Sequence, residues 1–328
     1  MHPLVARIHP SYRTAIVSWF FARAIAWIAH ASSGVLAFPL LFSPDYGRGA
    51  PLWAGWVRLC RRLDAHAVTE VADLGTLVMV GAGELALLGG AVAVYRFART
   101  DELPQTAERA TWLWALCPAM ALTVPIASWA FAACGVAAAL AALESRRWLA
   151  ATFALAIAIG FRAEAMLVWP GFIWTAYRAY RPKKDSGLGP WLATFGPLGA
   201  FTGVVGSAIL LAGDYGVSLR GLHPGSEWRS DLVWDGLGAE TPVLILAAAA
   251  TVGLVLLMRA TVRDTGRGLA AAGPLLVWPL LHEPSMAAAG ALLFAIPAFV
   301  VLARNMDDRS FERPAMVAFT VGLFLLIV

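Results

Sequence analysis

The residues best equipped for chemistry lie between Arg58 and Gly75. Residues 62–75 run Arg-Leu-Asp-Ala-His-Ala-Val-Thr-Glu-Val-Ala-Asp-Leu-Gly, which gathers Asp64, His66, Glu70 and Asp73 in an otherwise strongly apolar chain. Ionisable groups at or inside a membrane cost free energy, so such a cluster is a functional candidate by default. A carboxylate at Asp64 can take a proton from an acceptor hydroxyl within hydrogen-bond reach, and His66 can assist it or orient a substrate. The structural alternative for Asp64 is a helix cap or a salt bridge to a nearby arginine. Glu70 and Asp73 suit loop charges or a cap on the following helix.

The stretch just before Asp64 (LWAGWVRLCRRL, residues 52–63) has helical periodicity. Leu52, Trp53, Trp56, Val57, Leu59, Cys60 and Leu63 cover one arc, and Arg58, Arg61 and Arg62 the other. This predicts an amphipathic helix lying in a membrane interface with its apolar arc toward the acyl chains. Its arginines suit either anionic lipid headgroups or the phosphate of a lipid-linked substrate, for which a guanidinium fork is well shaped.

Further candidates are scattered. Arg162 and Glu164 sit two apart at the end of an apolar run, a spacing that does not bring them face to face on a helix, so each needs another partner. Arg162 is open to two readings, snorkelling at the membrane edge or a phosphate contact. His282, in the turn His-Glu-Pro-Ser, suits a capping role or a place in a substrate site, and Asp45 a place on the same face. His223 falls in a Gly/Pro-bearing loop and reads as solvated. Glu84 falls inside an apolar run, which predicts a polar cavity or a partner on a neighbouring helix. Arg23 and His30 are seven apart and share one helix face.

The elements that must position these residues are transmembrane helices. The chain has 328 residues, 59% hydrophobic and 14% charged, against about 25% charged in soluble domains. Apolar segments fall at about 14–42, 76–95, 110–123, 125–143, 148–160, 163–179, 190–213, 241–258, 268–281, 286–303 and 314–328. The expected fold is an all-α, polytopic bundle of about 9–11 spans in a single integral membrane domain, residues 1–328. With the N-terminus cytoplasmic, 17 Lys and Arg fall in inner loops and 7 in outer ones, with Arg23 inside the first span. The acidic residues Asp45, Asp64, Glu70, Asp73, Asp214, Glu227, Asp231, Asp235, Glu240 and Glu283 fall on the outer face, as do the long loops at about 43–75 and 214–240. Chemistry is therefore expected on the extracytoplasmic side. The first apolar stretch is too long for a cleavable signal peptide and lacks a cleavage site.

The net charge of +4 is spread over short loops and predicts no nucleic-acid partner. Cys60, Cys117 and Cys134 lack metal or disulfide spacing, and the latter two read as small inert hydrophobes. No metal-ligand set, Walker, Rossmann, HExxH or GxSxG motif is present.

RLDAHAVTEVADLG resembles the first outer loop of the PIG-V-type mannosyltransferases, a branch of the multispanning GT-C glycosyltransferases. Asp64, Ala65, Ala72 and Gly75 keep that loop's register. Residues 108–170 are similar to the family's middle section, where Pro118, Arg146, Arg147, Trp148 and Arg162 fall in the family's order. The segment HEPSMAAAGALLFAIPAFVVLA echoes its closing loop and Pro-containing helix. Leu63 stands where the family has Trp, Ala67 and Val68 replace its aromatics, and Thr76 replaces its Tyr.

The resemblance implies a GT-C-like fold and an inverting transfer of a mannose-like sugar from a polyprenyl-phosphate donor to a lipid, glycan or protein acceptor. It implies that Asp64 is the catalytic base. Arg58, Arg61, Arg62 and Arg162 are then candidate phosphate contacts, with Asp45, His66, Glu70, Glu164 and His282 lining the substrate site. The lipid-linked donor serves as co-substrate, membrane lipids are the other expected partners, and the need for a divalent metal stays open. The expected location is a bacterial inner membrane. Two rivals remain: a non-catalytic membrane scaffold or partner subunit that keeps the fold, and a lipid or solute transporter, for which paired half-repeats and midplane helix breaks would be the signs.

Overall fold

A computed structural model describes residues 10–32, 52–53, 55–57, 59–60, 74–123, 127–180, 188, 191, 194–196, 265–277, 290–307, 313–314 and 316–321. These residues are almost entirely helical, and no strand occurs among them. Helix α1 spans Pro10–Ser32, α2 Leu74–Arg99, α3 Pro104–Ala115, α4 Ala127–Glu144, α5 Trp148–Phe161, α6 Trp169–Tyr180, α7 Thr265–Ala272 and α8 Ile296–Arg304. Two helices, Leu77–Arg99 and Ala127–Glu144, are long and apolar enough to cross a membrane, and Trp148–Phe161 is a shorter apolar helix.

The centre of the bundle is α4, which packs against α2 on one side and α5 on the other. Its sequence, ASWAFAACGVAAALAALE, explains why. Alanine combines high helix propensity with a short side chain, so neighbouring backbones come close. Gly90 of α2 lies so near α4 and α3 that an added Cβ would meet Trp114 at 2.7 Å, and Gly135 of α4 would meet Ala158 of α5 at 2.8 Å. The helix ends where Arg146, at φ 54°, takes the left-handed conformation. The Arg147 N–H donates to Ala142 O and the Arg146 N–H to Leu143 O, the paired bonds of a Schellman turn.

The helices are interrupted, and prolines account for most of the interruptions. Pro118 opens a 3₁₀ turn, Pro118–Thr123, and Pro274 lies in a π-helical turn, Gly273–Val277, that ends α7. Pro297 stands at the start of α8, after the 3₁₀ turn Ala291–Phe294. A ring without an N–H cannot continue an α-helical ladder, so the backbone tightens or widens around it. A fourth irregular turn, Ala163–Val168, joins α5 to α6, with Pro170 just inside α6.

Gly171 of α6 faces α7 so closely that a Cβ would meet Ala270 Cβ at 2.5 Å and the Gly266 carbonyl oxygen at 2.7 Å. Backbone cannot yield as a flexible side chain does, so Gly171→Ala should cost about 1–3 kcal/mol. An unchanged apparent unfolding temperature in that variant would show that α6 and α7 are not in this contact.

One end of the bundle is held by ion pairs. Arg267 Nε donates to Glu144 Oε1 at 2.9 Å, its Nη2 reaches Asp101, and its guanidinium lies over the Phe97 ring. Arg304 pairs with Glu102 beside them. These residues come from the 99–104 connection, the end of α4, the start of α7 and the end of α8, connections that the charge pattern assigns to a single side. Arg267→Ala should lower stability by about 2 kcal/mol, with a smaller loss at high salt. A salt-independent loss would instead point to lost packing on Phe97.

On the outward faces, Ile16, Phe20, Phe21 and Ile28 of α1, Leu77 and Leu85 of α2, and Leu149, Phe153 and Ile157 of α5 are exposed.

Candidate functional site

Toward the opposite end of α4, the described residues between 52 and 60 are helical, as their periodicity predicts. Part of their apolar arc is turned into the protein, where the sequence reading expected acyl chains. Trp53 and Cys60 are buried in a cluster with Met79 and Ala127, joined by Trp56, Val57, Phe131 and Phe161. Trp56 meets Phe131 edge-on at 5.9 Å, and Phe131 stacks on Phe161 at 4.7 Å. The aromatics that this helix needs come from α4 and α5, far away in sequence. Among its described large apolar side chains, Leu59 is the strongly exposed one.

Phe161 ends α5, and Arg162 follows it in an extended conformation (φ −148°, ψ 119°). The Arg162 N–H closes α5 on Ala158 O. From this position Arg162 Nη2 donates to Glu164 Oε1 at 2.8 Å. The spacing argument for separate partners fails here because Arg162 is not helical, so the two-residue separation does not place the side chains on different faces. Snorkelling also fails: the guanidinium lies 4.0 Å from the centre of the Trp129 ring, and its side chain is only 16% exposed. A cation over an indole face is attracted by the ring's quadrupole.

At this end of the bundle several polar atoms are left over. Arg162 Nε, Trp129 Nε1, Ser128 Oγ and Trp56 Nε1 are buried without a hydrogen-bond partner. Native interiors leave few such groups, and each calls for an explanation. Trp129 and Ser128 stand in the first turn of α4, and both are fully buried. Gly290 lies against the Trp129 indole so closely that an added Cβ would come within 2.5 Å. The irregular turns at 118–123, 163–168, 273–277 and 291–294 pack among themselves, and those at 118–123, 163–168 and 291–294 also pack against α4. Non-α backbone in an apolar fold is tolerated where protein or a polar cavity satisfies it.

A second polar cluster ties α1 to α2. Arg23 Nε donates to both oxygens of Glu84 at 3.0 and 2.8 Å, and Nη2 donates to Oε1 at 2.7 Å. Its Nη1 donates to Met120 O and Thr123 Oγ1, and Trp27 Nε1 donates to Glu84 Oε1. Glu84 thus finds its partner on a neighbouring helix, one of the two outcomes expected for it. The Arg23 fork is filled, and the cluster acts as a clamp on the 118–123 turn.

Of the residues expected to form the catalytic and substrate site, Arg162 and Glu164 belong to the described residues, and the structure brings them together. Asp45, Arg58, Arg61, Arg62, Asp64, His66, Glu70 and His282 lie outside the described residues, as do His223 and the side chain of His30. Sequence reasoning missed Ser128, Trp129 and the Phe131–Phe161 stack. Their signal was a Ser-Trp pair at the start of an Ala-rich apolar run just after Pro125. Among the described residues no group of three or more His, Cys, Asp or Glu could hold a metal ion. The chain matches no protein-family model and no curated protein, which leaves these side chains themselves to carry the functional reading.

Proposed function

We propose that this chain is a membrane-embedded, extracytoplasmic glycosyltransferase of GT-C type, related to the PIG-V-type mannosyltransferases. It moves a mannose-like sugar from a polyprenyl-phosphate donor to a lipid, glycan or protein acceptor. One observation carries the reading: the described helical residues between 52 and 60, which precede Asp64 in the sequence, pack on Phe131 and Phe161, and Phe161 adjoins Arg162 in the chain. Asp64 follows Cys60 closely in the sequence, on a tether of at most about 14 Å. A short tether between that seat and the expected base supports a site shared with the expected phosphate contact, Arg162. The outward-facing Phe, Leu and Ile side chains on α1, α2 and α5, together with two helices of spanning length, support a bilayer as the surrounding medium.

In this mechanism Asp64 removes the proton from an acceptor hydroxyl as its oxygen attacks the anomeric carbon. The bond from that carbon to the phosphate oxygen breaks, and polyprenyl phosphate leaves with the electron pair. Arg162 stabilises the charge that grows on the departing phosphate. The prenyl chain lies along apolar helix faces.

The test is direct. Purified protein given a polyprenyl-phosphate-linked mannose and a membrane extract as acceptor should release polyprenyl phosphate and yield a glycosylated product. Absence of turnover with every polyprenyl-phosphate sugar tried would return the chain to the scaffold reading.

A further inference from the structure

Arg162 and Arg23 each pair with a carboxylate through Nη2, and they differ in how the Nε–Nη2 fork is filled. Glu84 takes both Nε and Nη2 of Arg23. Glu164 takes only Nη2 of Arg162, and Nε–H is left buried and unpaired. The guanidinium rests on the Trp129 ring, whose own N–H is buried and unpaired, and Ser128 adds a buried hydroxyl one residue away. A half-filled guanidinium fork, with the orphaned indole N–H of the ring under it and the orphaned hydroxyl of the neighbouring residue, is the complement of an oxyanion with several acceptor oxygens. A planar carboxylate held two residues away along a 3₁₀ turn reaches only one arm of the fork. A phosphate offers an oxygen to each donor.

We propose that Arg162, Trp129 and Ser128 form a phosphate-binding site in which Glu164 is an internal competitor, occupying Nη2 until the ligand's oxygens take the whole fork. The proposal rests on the functional reading above in placing that phosphate on a prenyl lipid, and it extends that reading to two residues and a competition that it did not contain. Glu164 keeps the buried arginine neutralised while the site is vacant, since an unpaired buried charge is costly. Its negative charge then opposes the incoming phosphate, so affinity is held down by a group of the chain itself. Trp129 has two tasks: its face fixes the guanidinium and its N–H donates to the ligand.

The experiment measures binding of geranyl phosphate to the full-length protein in detergent, without sugar or acceptor, with geraniol as the neutral control. Wild type should bind geranyl phosphate and not geraniol. Glu164→Gln, which keeps shape and removes charge, should tighten binding about tenfold. Trp129→Phe, which keeps a ring under Arg162 but removes the N–H, should weaken it about tenfold. Ser128→Ala should weaken it about threefold, and serves where a charge change unfolds the chain. Displacement by inorganic phosphate would identify free phosphate as the occupant, and resistance to it a lipid-borne one; both support the site. Equal affinity for geranyl phosphate and geraniol, or a Glu164→Gln variant that binds no tighter, would overturn it. A protein that binds in this pattern yet transfers no sugar keeps the site and loses the glycosyltransferase assignment. Sugar transfer with binding insensitive to Glu164→Gln and Trp129→Phe keeps the assignment and loses the site.

Discussion

Replacing Glu84 with alanine should lower stability by about 3–5 kcal/mol, the loss expected when one partner of a buried ion pair is removed. Arg23 is 5% exposed and would be left with only Met120 O and Thr123 Oγ1 as acceptors. Trp27 Nε1 would lose its acceptor as well. The loss should appear as a lower apparent unfolding temperature in detergent, without a change in the size of the folded particle. Replacing both partners, with Arg23→Met and Glu84→Leu, should recover much of it, because the pair's own desolvation cost disappears along with the stranded charge. A double variant as unstable as Glu84→Ala alone would mean that the cluster matters through the 118–123 turn and not through its charges.

Asp64→Asn should reduce sugar transfer by about 10²–10⁴-fold, the usual contribution of a positioned general base. The amide keeps the size of the carboxylate and cannot accept the acceptor's proton, so donor binding should stay intact while turnover falls. Asp64→Ala should do the same, with wild-type unfolding behaviour in both. The prediction is sharpest in combination: Asp64→Asn leaves geranyl phosphate affinity unchanged, whereas Trp129→Phe weakens that affinity. Turnover at the wild-type rate in Asp64→Asn would remove the proposed mechanism, whatever the phosphate site does.

The helical segments were largely readable in advance. The apolar runs at about 76–95, 125–143 and 148–160 correspond to α2, α4 and α5, each extended or shifted by a few residues. The run at 110–123 proved to be two pieces, the end of α3 and a separate 3₁₀ turn, because Pro118 interrupts it. Hydropathy cannot see that division, since both pieces are apolar. Arg267 and Arg304, two of the arginines that the charge pattern places in inner loops, lie at one end of the bundle, where they pair with Asp101, Glu102 and Glu144.

The candidate site was legible only in outline. Arg162 and Glu164 were recognisable as ionisable groups at the edge of an apolar run, yet helical spacing wrongly kept them apart, because periodicity assumes a helix where the backbone is extended. The helix between 52 and 60 followed from its pattern of apolar residues, but periodicity alone says which arc is apolar and not what covers it. Phe131 and Phe161 cover it, and both lie far along the chain from Cys60. Trp129 was marked only by its pairing with Ser128 just after Pro125, and nothing local says that its ring lies under Arg162.

Composition and periodicity are local properties, so they determined where helices form, which residues are too polar for their surroundings and which connections share a charge. Partnership between distant residues is a matter of packing: only the tertiary structure filled the Arg23 fork with Glu84, half-filled that of Arg162 with Glu164 and laid the latter arginine over Trp129. An ionisable side chain announces in the sequence that it needs a counterpart. Which atoms supply it depends on how the helices cross.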